Sequence, residues 1–577
     1  MMKSLHKAGS DELRAHRRRS RGLYWAVGIF SFFVNMLMLT GPLYMMQVYD
    51  RVLGSRSVET LLALSLLVVF LYGLMGVLDY ARGRILARIG ARFQAGLDQR
   101  VFDAMIRRSA VAPDPVAQTG LSDLESVQRL IASPVLGAAF DLPWTPLFLL
   151  GIALFHPWLG LLALGGGAVL IAIAIINQIL SRGPLLEAAR SGHRANLMSE
   201  EIRTEAEVIQ SMGMRQAAFE RWKQGRDAAL GDNVSANDIG GSFTTLTKTL
   251  RLFLQSAMLG LGAYLVLQNQ VTAGAMIAGS ILMGRALAPI ELALGQWAMV
   301  QRALKGWRNL AELLTTVPEE KERTALPKPQ AKLEVQALAV IPPGDNRPQL
   351  RNVSFRVEPG QAIGVIGPSG SGKSTLARAL TGAWRPAAGT VRLDGASIDQ
   401  YAPEVLGQNI GYLPQRVQLF EGTIAQNIAR LSTAPDAQKV VEAAKKAAAH
   451  DMIVRLPEGY DTRITAGGGR LSGGQMQRVA LARALYDDPV IVILDEPNSN
   501  LDNDGSVALN NAIRQMKAEG RSVLIMAHRP AAIQECDLLL VVDQGVQTAF
   551  GPKDKVLREM VANHQTIQQS TGAGGVR

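Results

Sequence analysis

The stretch that decides the fold runs from residue 361 to residue 376 and reads QAIGVIGPSGSGKSTL. Its apolar start predicts a buried strand, and the glycine-rich segment that follows predicts a tight turn into a helix, with backbone N–H groups aimed at phosphate oxygens. Lys373 offers a cation and Ser374 a hydroxyl for Mg²⁺, because a triphosphate needs both within one turn. The predicted phosphate loop binds ATP through Gly367, Ser369, Gly370, Gly372, Lys373, Ser374 and Thr375.

A second nucleotide feature lies about 120 residues further along the chain, a separation typical of phosphate-loop domains. Residues 490–494 read VIVIL, an unbroken apolar run typical of a buried parallel strand, and they are followed by Asp495 and Glu496. At the carboxyl end of such a strand Asp495 can hold Mg²⁺ and Glu496 can polarise the attacking water. The alternative, a strand followed by a solvated acidic turn, is disfavoured by the phosphate loop upstream.

Composition indicates a membrane half joined to a soluble half. Of the 577 residues, 48% are hydrophobic and only 19% are charged. The net charge of +11 could indicate nucleic-acid binding, but the arginines cluster in the N-terminal segment and between apolar runs, as they do on the inner side of membrane proteins. We therefore predict a lipid bilayer as surroundings and no nucleic-acid partner. The only cysteine, Cys536, lies in an apolar stretch and is expected to be a buried structural thiol.

The apolar runs predict six membrane spans after a basic cytoplasmic tail, residues 1–21. The first run is too long for a signal peptide and has no small-residue cleavage site. The predicted spans are residues 22–49, 60–78, 135–155 and 159–176, with the fifth and sixth inside 252–284, divided at Gln268-Asn269-Gln270. The last two are short unless their helices extend past Arg251 or Arg285 towards the cytoplasm.

Between the spans, residues 80–132 and 182–248 are charged and keep helical spacing, which predicts long helical excursions on the cytoplasmic side. Six spans return the chain to the cytoplasm. We therefore expect a transmembrane domain over 22–315, a linker over 316–332 and a cytoplasmic nucleotide-binding domain over 333–577.

Three polar side chains fall at or near membrane depth: Asn35, Asp141 and Glu291. An ionisable residue inside a membrane is by default a functional candidate. Asp141 precedes Leu142-Pro143-Trp144, so an equally open interpretation is that it braces a helix broken by proline.

The segment Leu471-Ser-Gly-Gly-Gln475 resembles the signature of ABC transporter ATPases. Ser472, Gly473 and Gly474 open a predicted helix and so form a second anion cradle. The resemblance extends to Gln415 in GYLPQ, similar to the Q-loop, to residues 499–502, similar to the D-loop, and to His528 in MAHR, similar to the switch histidine. It implies that Gln415 and Asp502 contact ATP, that Gln415 also binds the metal, and that His528 acts with Glu496. In that family two domains pair head to tail, which implies a homodimer.

Two positions depart from the family pattern. Where exporters usually carry an aromatic residue that stacks on adenine, the aligned stretch AVIPPG places Pro342. Where exporters tend to have a glutamate before the signature, ITAGGG places Ala466. We therefore expect adenine stacking to differ from the family pattern. We also expect a different contact between the loop around Ala466 and the intracellular helices.

Three membrane segments are similar to the protease, lipase and haem-carrier exporters of bacterial type I secretion systems: GPLYMMQVYDRVL (41–53), FDLPW (140–144) and MGRALAPIE (283–291). This resemblance implies the inner membrane as location, and as partners a periplasmic membrane-fusion adaptor, an outer-membrane channel and an exported polypeptide with a C-terminal signal. With only the basic tail before the first span, no peptidase domain is expected.

Together these features predict an α-helical membrane domain with six spans of the ABC exporter type, followed by an α/β P-loop ATPase domain. The expected activity is ATP hydrolysis, with ATP and Mg²⁺, coupled to export of unfolded polypeptide by a homodimer. A lipid or multidrug exporter with the same ATPase is the alternative. A soluble ABC ATPase acting on DNA or ribosomes conflicts with the apolar spans.

Overall fold

The computed structural model describes residues 7–111, 114–320, 323, 326–465, 471–499, 501, 503–528 and 533–559. The chain divides into two compact units, the first made of Met1–Ser109 and Pro113–Glu319 and the second of Ala110–Ala112 and Glu320–Arg577. Each unit is described by itself below.

The first unit is built from helices joined by short links. Its α-helices are Lys7–Arg18 (α1), Arg21–Leu37 (α2), Thr40–Gln47 (α3), Leu53–Ser55 (α4), Val58–Ala95 (α5), Asp98–Ser109 (α6), Pro115–Ile131 (α7), Pro134–Asp141 (α8), Thr145–Phe155 (α9), Pro157–Thr204 (α10), Ala206–Ser211 (α11), Arg215–Leu267 (α12), Ala273–Gly295 (α13) and Trp297–Thr316 (α14). A π-helical turn, Val48–Val52, follows α3, and a 3₁₀ turn, Leu142–Trp144, joins α8 to α9.

Six helical stretches in the described part of the chain are long and apolar enough to cross a membrane, so the prediction of six spans is confirmed. They are Arg21–Ser55, Val58–Ser109, Pro134–Phe155, Pro157–Thr204, Arg215–Leu267 and Ala273–Gly295. The structure differs in where they end, because α5, α10 and α12 each combine an apolar run with part of a charged segment in one continuous helix. The fifth and sixth spans do extend past Arg251 and Arg285.

Residues 7–18 of the predicted basic tail form the helix α1, which packs on α14. Leu13 is fully buried, and the Gly9 N–H donates to Thr315 Oγ1 at 2.9 Å. A Cβ at Gly9 would lie 2.2 Å from the Ala311 carbonyl oxygen, so only glycine permits this approach. The four-residue spacing of Gly9 and Leu13 was the available sequence signal for a packed helical face.

Asp50 fastens the far end of the first span to the start of the sixth. Its Oδ2 accepts from the Thr272 hydroxyl at 2.7 Å, and its Oδ1 accepts from the Gly274 N–H at 2.8 Å. A carboxylate at a helix N-terminus satisfies free N–H groups and is favoured by the helix dipole. This contact gives the aspartate of the segment 41–53 a structural role.

A buried polar network joins three of the spans around Asp141. Its Oδ1 accepts from Arg82 Nη1 and from Asn35 Nδ2, both at 2.7 Å, and Arg82 also donates to Ser31 Oγ at 2.9 Å. Asp141 is the last residue of α8, directly before the 3₁₀ turn, as the bracing interpretation requires. Glu291 similarly pairs with Arg251 at 3.0 Å and so joins α13 to α12.

The second unit is an α/β domain, as predicted. Its strands are Leu333–Val340 (β1), Leu350–Val357 (β2), Ala362–Ile366 (β3), Ala388–Leu393 (β4), Ala396–Ser397 (β5), Ile410–Leu413 (β6), Gly422–Thr423 (β7), Arg463–Ile464 (β8), Ile491–Asp495 (β9), Ser522–Ala527 (β10), Leu538–Asp543 (β11) and Val546–Pro552 (β12). Its α-helices are Lys373–Leu380 (α15), Pro403–Asn409 (α16), Ile424–Ile428 (α17), Ala437–Lys446 (α18), His450–Val454 (α19), Gly473–Leu485 (α20) and Asn503–Ala518 (α21).

The large sheet has the order β5-β4-β1-β2-β12-β11-β3-β10-β9-β6, and the run from β11 to β6 is parallel. Alternate residues of the central strands enter two separate apolar clusters. Ile491 and Ile493 belong to one cluster, whereas Val492 and Leu494 belong to the other. Because side chains of a strand alternate between faces, both faces of the sheet are buried, which explains the unbroken apolar run at 490–494.

Cys536 is 3% exposed, and burial raises the pKa of its thiol to about 12. The thiol therefore stays protonated at neutral pH, which fits the expected structural role.

The Asp141 network yields a stability prediction. The side chains of Arg82 and Asp141 are 12% and 13% exposed, so Asp141→Ala leaves a buried guanidinium charge without its best partner. We expect a loss of about 3–5 kcal/mol, read as a lower thermal unfolding midpoint of the purified protein in detergent.

The matched control is Asp79→Ala, which removes the other carboxylate that Arg82 contacts, one whose side chain is 57% exposed. It should cost less than about 1 kcal/mol. Equal losses for the two variants would show that Asp141 is not a brace.

Candidate functional site

The loop between β3 and α15 is shaped by glycines in conformations that other residues avoid. Gly370 and Gly372 have φ values of 78° and 103°. A Cβ at Gly367 would lie 2.0 Å from the Val542 carbonyl oxygen. Ser369 stands exposed at the tip of this loop. The backbone thus turns sharply at the carboxyl end of β3 and opens α15 with its N–H groups free to bind an anion.

Lys373 is folded into the loop. Its Nζ donates to the carbonyls of Gly367 at 2.9 Å and Pro368 at 2.8 Å, and the residue is 5% exposed. Burial lowers the pKa of its ammonium, and the nearby carboxylates of Glu496 and Asp495 oppose that shift. These two carbonyl oxygens accept the hydrogen bonds that phosphate oxygens would accept from Lys373 when ATP binds. The ammonium group of Lys373 therefore already points into the loop.

Thr375, the next residue but one, donates its hydroxyl to Gln349 Oε1 and is buried. Gln349 was not predicted from the sequence, because nothing in its pattern links it to a loop so far along the chain. Its carbonyl oxygen would lie 3.3 Å from a Cβ at Gly372, so it lines the back of the loop. The hydrogen bond from Thr375 therefore anchors the first turn of α15 to Gln349.

Asp495 ends β9 with the features of a metal ligand. It is 2% exposed and accepts a hydrogen bond from the Ser374 hydroxyl. Burial raises the pKa of its carboxyl group, the Ser374 hydroxyl lowers it, and the charge of Glu496 raises it again. Within the described residues its buried Oδ1 accepts no hydrogen bond. A buried carboxylate oxygen beside a serine hydroxyl is suited to Mg²⁺.

No cluster of three or more His, Cys, Asp or Glu side chains able to hold a metal occurs in the part of the chain that the structure describes. The remaining ligands of a magnesium ion here would therefore be phosphate oxygens and water, the usual partners of Mg²⁺ at nucleotide sites. Gln415 follows β6, which pairs in parallel with β9 so that Leu413 lies opposite Leu494. Its exposed amide stands at the same edge of the sheet as Asp495.

Glu496 and His528 are brought together by the parallel pairing of β9 and β10. Glu496 Oε1 lies 2.9 Å from His528 Nε2. The backbone of Glu496 has a φ of 52°, a strained value for a residue with a side chain, and its N–H donates to the Met526 carbonyl at 3.0 Å. The structure thus aims a carboxylate and an imidazole at the edge where the phosphate loop opens.

Ser472 caps α20 in a reciprocal arrangement with Gln475. The Gln475 N–H donates to Ser472 Oγ at 3.3 Å, and the Ser472 N–H donates to Gln475 Oε1 at 2.9 Å. Ser472 and Gly473 are exposed, and Gly474 is half-buried. The start of α20 is accordingly a capped helix N-terminus that is open to an anion from outside the chain.

For three positions singled out from the sequence, the structure adds little to the description of the site. Asp502 and Ala466 lie outside the described residues. Pro342 follows the end of β1 and is half-buried. Arg378, which the sequence did not single out, lowers the pKa of Asp495 by its charge and so belongs to the electrostatics of the site.

Both halves of the chain match family models. Residues 24–288 match the ABC transporter transmembrane region, and residues 350–499 match the ABC transporter family.

Two relatives match over nearly the whole chain. The type I secretion system ATP-binding protein PrsD of Rhizobium meliloti (strain 1021) is 43% identical over 569 residues, which cover 98% of this chain and 97% of the relative. The leukotoxin translocation ATP-binding protein LktB of Mannheimia glucosida is 28% identical over 96% of this chain and 77% of the relative.

A solved structure of a bacterial Atm1-family ABC exporter with ATP bound superposes with a TM-score of 0.77. The match covers 96% of this chain and 99% of that one, at 23% identity. At that identity it supports the fold alone.

The geometry around Glu496 predicts the effect of removing its charge. Glu496→Gln keeps the Ser374–Asp495 pair but loses the carboxylate that is predicted to polarise the attacking water, so ATP binding should persist while hydrolysis slows by at least about two orders of magnitude. Equilibrium ATP binding and steady-state phosphate release measure the two effects. Glu442→Gln, on the exposed face of α18, is the matched control and should hydrolyse ATP normally. Near-normal hydrolysis by Glu496→Gln would refute the assignment.

Proposed function

This chain belongs to the ATP-binding proteins of type I secretion systems, a branch of the ABC transporters, and from that membership we propose that it exports unfolded polypeptide across the inner membrane at the expense of ATP. The observation that carries the proposal is the 43% identity to PrsD, which extends over 98% of the chain. Identity of that extent covers the membrane unit as well as the ATPase unit.

The site residues take separate roles in the proposed reaction. Lys373 and the loop N–H groups bind the β- and γ-phosphates. Ser374, Asp495 and Gln415 would hold Mg²⁺, which would supply positive charge to neutralise the triphosphate. Glu496 orients and polarises the attacking water, and His528, whose Nε2 lies 2.9 Å from the Glu496 carboxylate, acts with it at the same edge of the sheet.

A complete site requires two chains. Ser472 and the helix N-terminus behind it are open to solvent, and a second anion cradle in the same chain cannot close on the phosphate that Lys373 binds. We therefore propose a homodimer in which Ser472 of each chain closes on the ATP bound by the other. Asp502 would contribute at the same interface.

The orientation in the membrane follows from charge. Arg17, Arg18, Arg19 and Arg21 are exposed directly before the first span, which favours a cytoplasmic N-terminus. Six spans then place the ATPase unit in the cytoplasm as well.

The links on the opposite side are short. They are residues 56–57, residue 156 and residues 268–272, so the described membrane unit offers no domain there that could receive a large substrate. A periplasmic membrane-fusion adaptor and an outer-membrane channel would supply that function. The substrate would be a polypeptide with a C-terminal signal, delivered from the cytoplasm.

Export of unfolded chains can be tested by fusing a stably folded domain to the exported protein. A bundle of helices can admit an extended chain, whereas a folded domain of about 100 residues has a radius of gyration of about 13 Å. We predict that deleting this gene leaves a secreted protease, lipase or carrier protein in the cytoplasm, and that fusing a fast-folding stable domain to that cargo blocks its export.

The matched control is the same fusion carrying a destabilised, readily unfolded variant of the domain, which should be exported. Secretion is measured by immunoblotting the medium and the cells. Undiminished secretion of the stable fusion in its folded state would refute threading, and normal secretion in the deletion strain would refute the export function itself.

A further inference from the structure

Helix α20, which begins at the signature serine, is held firmly at its far end. The Arg430 guanidinium donates to the carbonyls of Ala484 at 3.4 Å and Tyr486 at 2.9 Å, which lie in the last turn of this helix and just beyond it. It also donates to the Gly407 carbonyl in α16. A Cβ at Gly411 would lie 2.2 Å from the Ala484 carbonyl oxygen, so β6 presses against the same turn. This end of α20 is fixed to the sheet.

The other end is free to respond to a ligand. Ser472 and Gly473 are exposed, as described above. Between the two ends, about 7 Å along the axis from Ser472, lies Gln477. It is 3% exposed, and its Nε2 donates to the carbonyl of Pro497.

That carbonyl belongs to the residue directly after Glu496. The Glu496 backbone is therefore held from two sides, by its own N–H on the Met526 carbonyl of β10 and by the Gln477 contact on the following residue. The proline ring between them fixes one torsion, and Glu496 itself has a φ of 52°. A shift of α20 relative to β10 consequently changes the one strained residue whose carboxylate pairs with His528.

The two ends of this connection serve different ATP molecules. In the head-to-tail dimer proposed above, on which this inference rests, Ser472 closes on the ATP bound by the partner chain, whereas Glu496 acts on the ATP bound by its own chain. The connection from Ser472 through Gln477 to Glu496 therefore joins the two ATP sites within one polypeptide.

We propose that Gln477 is a positioning residue that couples the two ATP sites, by holding Glu496 in its pairing with His528 until Ser472 of the same chain engages the partner's ATP. Engagement tilts α20 about the end fixed by Arg430. Gln477 moves with the helix, the Pro497 peptide shifts, and Glu496 is released to the water at its own site. Hydrolysis at either site then requires ATP at both.

The first test is the ATP dependence of hydrolysis by purified homodimers. The wild-type protein should show a Hill coefficient of about two, and Gln477→Met, which keeps a long unbranched side chain but loses the N–H donor, should show about one. The control is Gln515→Met, which replaces an exposed glutamine of α21 whose side-chain amide donates to Glu519, and it should keep the wild-type coefficient.

The second test uses mixed dimers of a Lys373→Ala chain with a Ser472→Arg chain. Their one complete site uses Glu496 of the Ser472→Arg chain, whose own signature cannot engage, so coupling should keep it nearly silent. Adding Gln477→Met to the Ser472→Arg chain should raise hydrolysis by about fivefold or more, whereas adding it to the Lys373→Ala chain should not. A purely structural role for Gln477 predicts instead an equal or lower rate, whichever chain carries the substitution.

An unchanged Hill coefficient in Gln477→Met, or a mixed-dimer rate that does not depend on which chain carries Gln477→Met, would overturn the coupling. The Ser472→Arg homodimer tests the proposed shared site independently of Gln477. It should bind ATP without hydrolysing it. Wild-type hydrolysis by that homodimer would refute the shared site itself, whatever Gln477→Met does.

Discussion

Parallel pairing of β3, β10, β9 and β6 is the constraint on which the chemistry depends, because it brings the carboxyl ends of these strands to one edge of the sheet. The phosphate loop, Asp495 with Glu496, His528 and Gln415 each follow one of these strands, so residues more than 100 positions apart in the chain share one edge. The register between β9 and β10 is what places a glutamate 2.9 Å from a histidine. Close packing on both faces holds that register, since slipping by one residue would exchange side chains of different shape between two densely packed apolar clusters.

In the membrane unit a few polar contacts fix the positions of the helices relative to one another. The Arg82–Asp141 pair, supported by Asn35, ties α2, α5 and α8 together, and Asp50 ties the end of the first span to the start of α13. Van der Waals packing between apolar helices specifies their positions only weakly in a bilayer, so buried hydrogen bonds carry much of the specificity. The two segments that resemble those of type I secretion exporters, 41–53 and 140–144, contain Asp50 and Asp141, and the structure gives both residues a positional role.

Much of this architecture could be predicted from the sequence, for reasons that differ between regions. The phosphate loop and the acidic end of β9 could be predicted because their sequence patterns, the glycine spacing and the unbroken apolar strand, occur in few other structural contexts. The span ends could not be placed, because Arg251 and Arg285 mark the edge of the apolar run and not the edge of the helix. The packing of α1 was missed because a basic composition hid Gly9 and Leu13. Gln349, Gln477 and Arg430 were missed because their contacts are long-range hydrogen bonds, which leave no periodic trace in a sequence.

The central claim is that each ATP site is assembled from the phosphate loop of one chain and the signature serine of another. It is tested most directly by a chain carrying Ser369→Cys and Ser472→Cys, two exposed positions, with Cys536→Ser to remove the native thiol. Mild oxidation with ATP bound should produce a covalent dimer on a non-reducing gel. The dimer should be absent without nucleotide and absent when Lys373→Ala is added. A disulfide confined to single chains, or a covalent dimer that forms equally well without ATP, would contradict the shared site.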